Sequence, residues 1–188
     1  AENYHRIESL GMNLWNSAQD SDRWRVFRLS TTAHSVPRID GAQQQADGCA
    51  QPTDCVIGVD TPTACWDLTT LYPAAQRVTR QFAFPGRCEL HVTDTIQGLA
   101  AGTPVTWSFA TRADVEPAPT NKNTLCLRQN ARELHVHAAT PHTGTWRVVD
   151  ADTMLHAHDS PLPEVSIASW NTRAPASGNL SVQVCFTR

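Results

Sequence analysis

The sequence predicts an all-β fold, an antiparallel β-sandwich of many short strands, with residues 1–188 forming a single domain or a fragment of one. Three observations lead there. Short runs with period-two alternation recur from residue 78 onward, as in Val78, Arg80, Phe82 and Phe84, then Leu90 and Val92, then Val105, Trp107 and Phe109. Pro, Gly, Asn and Asp separate these runs at short intervals. No amphipathic pattern long enough for a three-turn helix is present.

Taken in order, residues 1–22 hold Tyr4, Ile7, Leu10, Met12, Leu14 and Trp15 without sustained periodicity and read as an extended lead-in and a loop. In residues 23–29, Trp24, Val26, Phe27 and Leu29 alternate with arginines and read as a half-buried strand. His34 precedes a second extended segment, residues 36–39, which Pro37 restricts to a sheet edge and Asp40-Gly41 ends in a turn. Residues 41–54 read as an exposed loop, and residues 56–60 as a strand that Pro62 stops. Residues 64–75 fit either an irregular strand or a short helical turn bounded by Pro73. The alternating strands follow, with Pro85-Gly86 turning the first pair. Leu134 with Val136, Trp146 with Val148, Val165 with Ile167, and the run Leu180, Val182, Val184 and Phe186 complete the series.

The composition is that of a soluble globular chain, with 40% hydrophobic and 18% charged residues. No apolar run is long enough to cross a bilayer, and the net charge of −3 argues against a nucleic-acid surface, which needs a basic stripe. Every cation but Lys122 is arginine, the side chain suited to planar contacts with carboxylate or sulfate, but the arginines are scattered along the chain and genome composition is the better explanation of the skew. The first residue is Ala, so the chain is expected to have been trimmed, cut from a longer precursor or expressed as a fragment. Six cysteines lack the Cys-x-x-Cys spacing of structural zinc sites and are read as disulfides formed in an oxidising compartment. Strand parity suggests Cys126 with Cys185, leaving Cys49, Cys55, Cys65 and Cys88 to pair among themselves; reduced, buried thiols are the competing reading.

Several histidines carry candidate chemistry. His34 sits at a strand junction among small polar residues, where a ring can turn into a cleft or make a single backbone bond. His135 and His137 share one face of a strand, a pair able to take a metal although spacing implies no third ligand. His156-Ala157-His158-Asp159 is a richer ligand set in a Pro-flanked loop. The chain has no Gly-x-Ser-x-Gly elbow, phosphate-binding glycine loop or His-Glu-x-x-His, which leaves common hydrolase, nucleotide and zinc-protease readings without support.

The order of several short motifs resembles the β-sandwich part of the heparinase II/III-like polysaccharide lyases. It runs through Trp15, the stretch from Asp20 to Arg28, His34-Ser35, Ile39-Asp40-Gly41 and Gln44. It continues through Asp67-Leu68-Thr69, Tyr72, Arg80, Leu90 to Asp94, and Trp107 to Thr111, so that it covers most of residues 4–115. The resemblance implies the C-terminal sandwich portion of a larger enzyme that joins an (α/α) toroid to a β-sandwich and cleaves uronate-containing glycans by β-elimination. That reaction neutralises a carboxylate, removes a proton beside it and protonates the leaving oxygen. By the same resemblance, His34 corresponds to one ligand of zinc or another divalent metal whose other ligands lie upstream of Ala1, and Tyr4 to a substrate-binding wall of the cleft. No catalytic residue is expected within this chain. The implied partners are an acidic polysaccharide and the remainder of the precursor or a second chain, and the implied location is periplasmic or secreted. A non-catalytic carbohydrate-binding or interaction sandwich is the alternative.

Overall fold

The computed structural model describes residues 3–188. Two antiparallel sheets face each other, as the alternation predicts. The smaller contains β1 (Pro37–Ile39), β6 (Pro104–Thr111), β11 (Ser166–Arg173) and β10 (Thr145–Asp150), in the order β1-β6-β11-β10. The larger contains β2 (Gln51–Val56), β3 (Thr63–Asp67), β4 (Arg77–Ala83), β5 (Leu90–Gln97), β12 (Leu180–Thr187), β9 (Arg132–Thr140), β8 (Thr124–Gln129) and β7 (Asp114–Pro117), in that spatial order. Strand β12 is thus inserted between β5 and β9 and joins the two halves of the larger sheet.

The inward-facing residues of both sheets form one core that includes Val78, Ile96, Trp107, Val136, Trp170 and Val184. Pro37 opens the edge strand β1, where its missing N–H costs no ladder bond. Strand β2 is exposed along its whole length, and a register shift next to Pro52 makes it a poor template for further pairing.

Several expectations are corrected. Residues 4–9 form a short helix, α1 (Tyr4–Ser9), whose start is capped by Asn3 accepting the Arg6 N–H at 3.0 Å. Residues 22–33 are three successive 3-10 turns and not a strand. Val26 and Leu29, three apart, pack on Ile7 and Leu14, while Phe27 points elsewhere, onto Ala151 and Ile167. The Phe27 N–H donates to the Asp159 carboxylate at 2.9 Å, so a side chain from a distant loop replaces the ladder partner a strand would need. The strand expected at residues 56–60 lies earlier, ending at Val56, and Gly58 at φ +77° makes the following turn. Residues 64–75 hold both alternatives in sequence, β3 and then a 3-10 turn over Thr69–Leu71.

Asp67 joins those two elements. The Thr69 N–H donates to its Oδ1 at 2.8 Å, and bonds from the Thr69 side chain and backbone hold the Asp67 pKa below its ordinary value. A depressed carboxylate contributes stability fully above its unfolded pKa of about 4, and that contribution disappears as pH falls through the lower native value. Asp67→Ala is expected to cost about 0.5–1.5 kcal/mol at neutral pH. The gap between native and variant urea midpoints should narrow in acid; a gap that widens there would contradict this assignment.

All six cysteines are free thiols, which corrects the disulfide framework. Cys126 on β8 and Cys185 on β12 flank β9 opposite His135 and His137, two inter-strand spacings apart and two residues out of line, so their Cα atoms are more than about 9–10 Å apart, beyond the roughly 7 Å that a bridge spans. Cys55 pairs with Ala64 while Cys65 pairs with Asp54, which puts those two thiols on opposite faces of their hairpin. Burial and the nearby Glu89 charge also raise the Cys185 pKa.

Candidate functional site

The helix α1, the 3-10 turns and the connection between β10 and β11 gather beside the smaller sheet. Arg6 donates to the Ala157 carbonyl at 2.9 Å, and Arg28 donates to the Ser160 and Pro161 carbonyls at 3.0 Å each. Asp159, 5% exposed, receives the N–H groups of Phe27 and of His156, the latter at 2.7 Å. Its carboxylate is spent on clamping two backbone segments together. The His156–Asp159 segment is therefore a structural clasp, and its histidines stack on each other at 5.3 Å without converging with Asp159 on an ion position.

Between these segments lies a cleft of about 490 Å³, lined by Trp24, Arg25, Phe27, Ser30 and Thr32 on one side and by Met154, His156 and His158 on the other, with Gln43 beside them. The three 3-10 turns of residues 22–33, expected in part as a strand, thus supply one wall. The opposite wall comes from residues about 130 positions away, which sequence spacing could not reveal. Trp24 is held by its Nε1 donating to the Ala18 carbonyl at 2.9 Å, and Arg23 lies over its ring at 5.4 Å. Arg25 is mostly exposed and bridges Asp22 at 3.0 Å, a weak surface pair that can be exchanged for a ligand anion. His158 reaches the Arg25 carbonyl with Nε2 at 3.2 Å.

His34 ends the third 3-10 turn and its side chain is exposed. The backbone behind it is fixed by a buried polar network. Arg80 donates to the Ser35 carbonyl at 2.8 Å and forms a two-pronged pair with Asp94, at 2.8 Å from Nε and 2.7 Å from Nη2. The indole N–H of Trp107 donates to the same Asp94 at 3.0 Å. Tyr72 donates to the Pro37 carbonyl at 2.9 Å and accepts from Gln44 at 2.8 Å. Burial pushes the Tyr72 phenol well above its ordinary range, so it stays protonated and serves as a brace. Among the described residues, no second histidine, cysteine or carboxylate joins His34 in a three-ligand group.

Tyr4 is 45% exposed on α1 and packs at 6.4 Å, tilted, against Trp15, which is 74% exposed and donates to Glu8 at 2.6 Å. Trp15 was not singled out as a partner for Tyr4 in the sequence, although two aromatic rings left in water form an amphipathic surface of the kind sugar faces stack on. The other sequence candidates lie on the outer face of the larger sheet. There His135 contacts Cys126 and Glu133, and the His137 Nδ1 lies 3.0 Å from Thr124 Oγ1.

Among the described residues no helix is long and apolar enough to cross a membrane. No protein-family model matches the chain, and no curated protein matches it. Solved structures do. The chain superposes on heparan sulfate lyase HepC from Pedobacter heparinus with a TM-score of 0.65 at 12% identity, over 86% of this chain and 25% of that one. On heparinase III the TM-score is 0.67 at 12% identity, over 89% of this chain and 25% of that one. The chain therefore spans about a quarter of the length of these enzymes and shares the fold of their β-sandwich portion.

Proposed function

We propose that this chain is the sandwich portion of a polysaccharide lyase that acts on acidic, uronate-containing glycans by β-elimination. The observation that carries the reading is the cleft itself, in which an arginine, a tryptophan and two imidazoles face one another on a fold shared with heparan sulfate lyases. Arg25 offers a planar donor pair for a carboxylate or sulfate, and Trp24 a ring edge for the apolar face of a sugar. His156 and His158 supply imidazole nitrogens that can hydrogen-bond a sugar hydroxyl or acid group. The Tyr4–Trp15 pair extends the sugar-binding surface. His34 is one ligand of a zinc or similar divalent ion whose other ligands come from a part of the protein outside this chain. Such an enzyme works in the periplasm or outside the cell, where its polymeric substrate is.

The reading is tested at two levels. The chain alone should bind a uronate polymer such as heparan sulfate in calorimetry, with affinity falling as salt rises. Arg25→Ala should weaken binding about 10- to 100-fold, the range of one charge-assisted hydrogen bond. The full-length protein should release unsaturated uronate, followed as new ultraviolet absorbance. Binding without such release by the full-length protein would favour a non-catalytic carbohydrate-binding sandwich. Absence of both would remove the glycan reading.

A further inference from the structure

The outer face of the larger sheet brings together side chains that the cleft does not use. Strand pairing sets Cys126 on β8 opposite His135 on β9, and His137 on β9 opposite Cys185 on β12, which in turn faces His91 on β5. Directly opposed residues share a face, so nitrogen and sulfur donors are concentrated on four adjacent strands. At one place three of them converge. The Cys126 thiol lies 3.4 Å from His135 Nδ1, Glu133 Oε1 lies 3.1 Å from His135 Nε2, and one donor atom from each residue falls within 4.8 Å of the other two.

We propose that Cys126, Glu133 and His135 form a binding site for one zinc-like divalent cation, with a fourth position open to solvent. Tetrahedral zinc, with bonds of about 2.0–2.3 Å, sets its ligand atoms roughly 3.3–3.6 Å apart, close to both contacts already made. The imidazole now shares its two nitrogens between the neighbours, so loading the ion requires the ring and the carboxylate to turn toward one point. Both have room, since the His135 and Glu133 side chains are 38% and 42% exposed, while Cys126 at 6% exposure is the fixed anchor. Thiolate with imidazole and carboxylate selects zinc over calcium or magnesium, which take oxygen ligands. Glu133 is oriented from behind by Arg128, whose Nε donates to Oε2 at 2.7 Å and whose other end is held by Glu116.

Cobalt(II) reports on such a site through a thiolate charge-transfer band in the near ultraviolet. Titrated into the full chain under a non-chelating reductant, cobalt should give this band at one ion per chain, and zinc should bleach it. Cys126→Ser should abolish the band. Glu133→Gln at an exposed position and His135→Gln at a half-buried one, both close in shape to the native side chains, should weaken cobalt binding at least about tenfold, and Arg128→Ala about 10- to 100-fold. Cys185→Ser and His34→Ala should leave the band intact. The site is disproved if the native chain shows no band, if the band survives Cys126→Ser, or if Cys185→Ser removes it. Glycan binding at the cleft is measured separately, so failure of this site leaves the lyase reading where it stood.

Discussion

Asp94→Ala is expected to destabilise the chain by about 3–5 kcal/mol, the range measured when one partner of a buried ion pair is removed. Asp94 is fully buried and Arg80 is 8% exposed, so the guanidinium left behind could neither reach water nor find another anion. The Trp107 N–H would lose its acceptor at the same moment. For a chain of this size the loss corresponds to a fall in Tm of about 6–20 °C, readable by circular dichroism. Removing both charges, as Arg80→Met with Asp94→Leu, should recover much of the stability, because no buried charge is then stranded. A single Asp94→Ala variant within about 1 kcal/mol of the native chain would show that the pair is already solvated, contrary to its burial. The variant also removes the carboxylate that holds the Arg80 guanidinium against the Ser35 carbonyl, so the segment bearing His34 should become the first site of proteolytic cleavage.

That network explains what the sequence resemblance was reading. Ser35, Gln44, Tyr72, Arg80, Asp94 and Trp107 are spread over more than seventy positions, yet they meet around one buried carboxylate and one phenol. Their common role is to fix the backbone on either side of β1, which fits a motif that marks a fold more surely than it marks a catalyst. The inward placement of Arg80 and Asp94 was also legible from alternation alone, since each shares a strand face with core residues such as Val78 and Ile96. Charges on an apolar face of two neighbouring strands are a signal for a buried pair.

What could not be read depended on contacts across the chain. Val26 and Phe27 suit a strand by composition, but no neighbouring strand is available to them, and Asp159 and the local turns take their N–H groups. The two walls of the cleft are joined by that same carboxylate, which in the sequence looks like the third member of a metal motif with His156 and His158. The cysteine pairing failed for a related reason. Parity places Cys126 and Cys185 on one face, and it is the insertion of β9 between their strands that separates them. Neighbouring positions in a sheet are set by topology, which period-two patterns do not encode.

Trp170→Ala carries the second large effect, about 3–5 kcal/mol, because it empties the centre of the smaller sheet. Trp170 is fully buried, lies opposite Trp107 and Trp146 on the flanking strands, and packs on the Trp146 ring at 5.3 Å. Its indole also dictates a glycine: a Cβ on Gly144 would sit 2.2 Å from Trp170 Cε2, a clash with a ring that has nowhere to go. Gly144→Ala should therefore cost about 1–3 kcal/mol by overpacking alone. Trp170→Phe gives up no hydrogen bond, since the buried Trp170 Nε1 has no partner among the described residues, and the smaller ring opens the space a Gly144 side chain needs. Combined, Gly144→Ala and Trp170→Phe should destabilise by less than the sum of the two single changes, the mark of residues that share one volume. Strict additivity in urea unfolding would mean that the clash is relieved by backbone movement and that the ring does not control the site. The effect should also reach the cleft, because β10 and β11 bear the two ends of the connection that carries His156 and His158. A Trp170→Ala chain that remains folded at low temperature is thus expected to bind a uronate polymer more weakly than native protein, although none of the altered atoms lines the cleft.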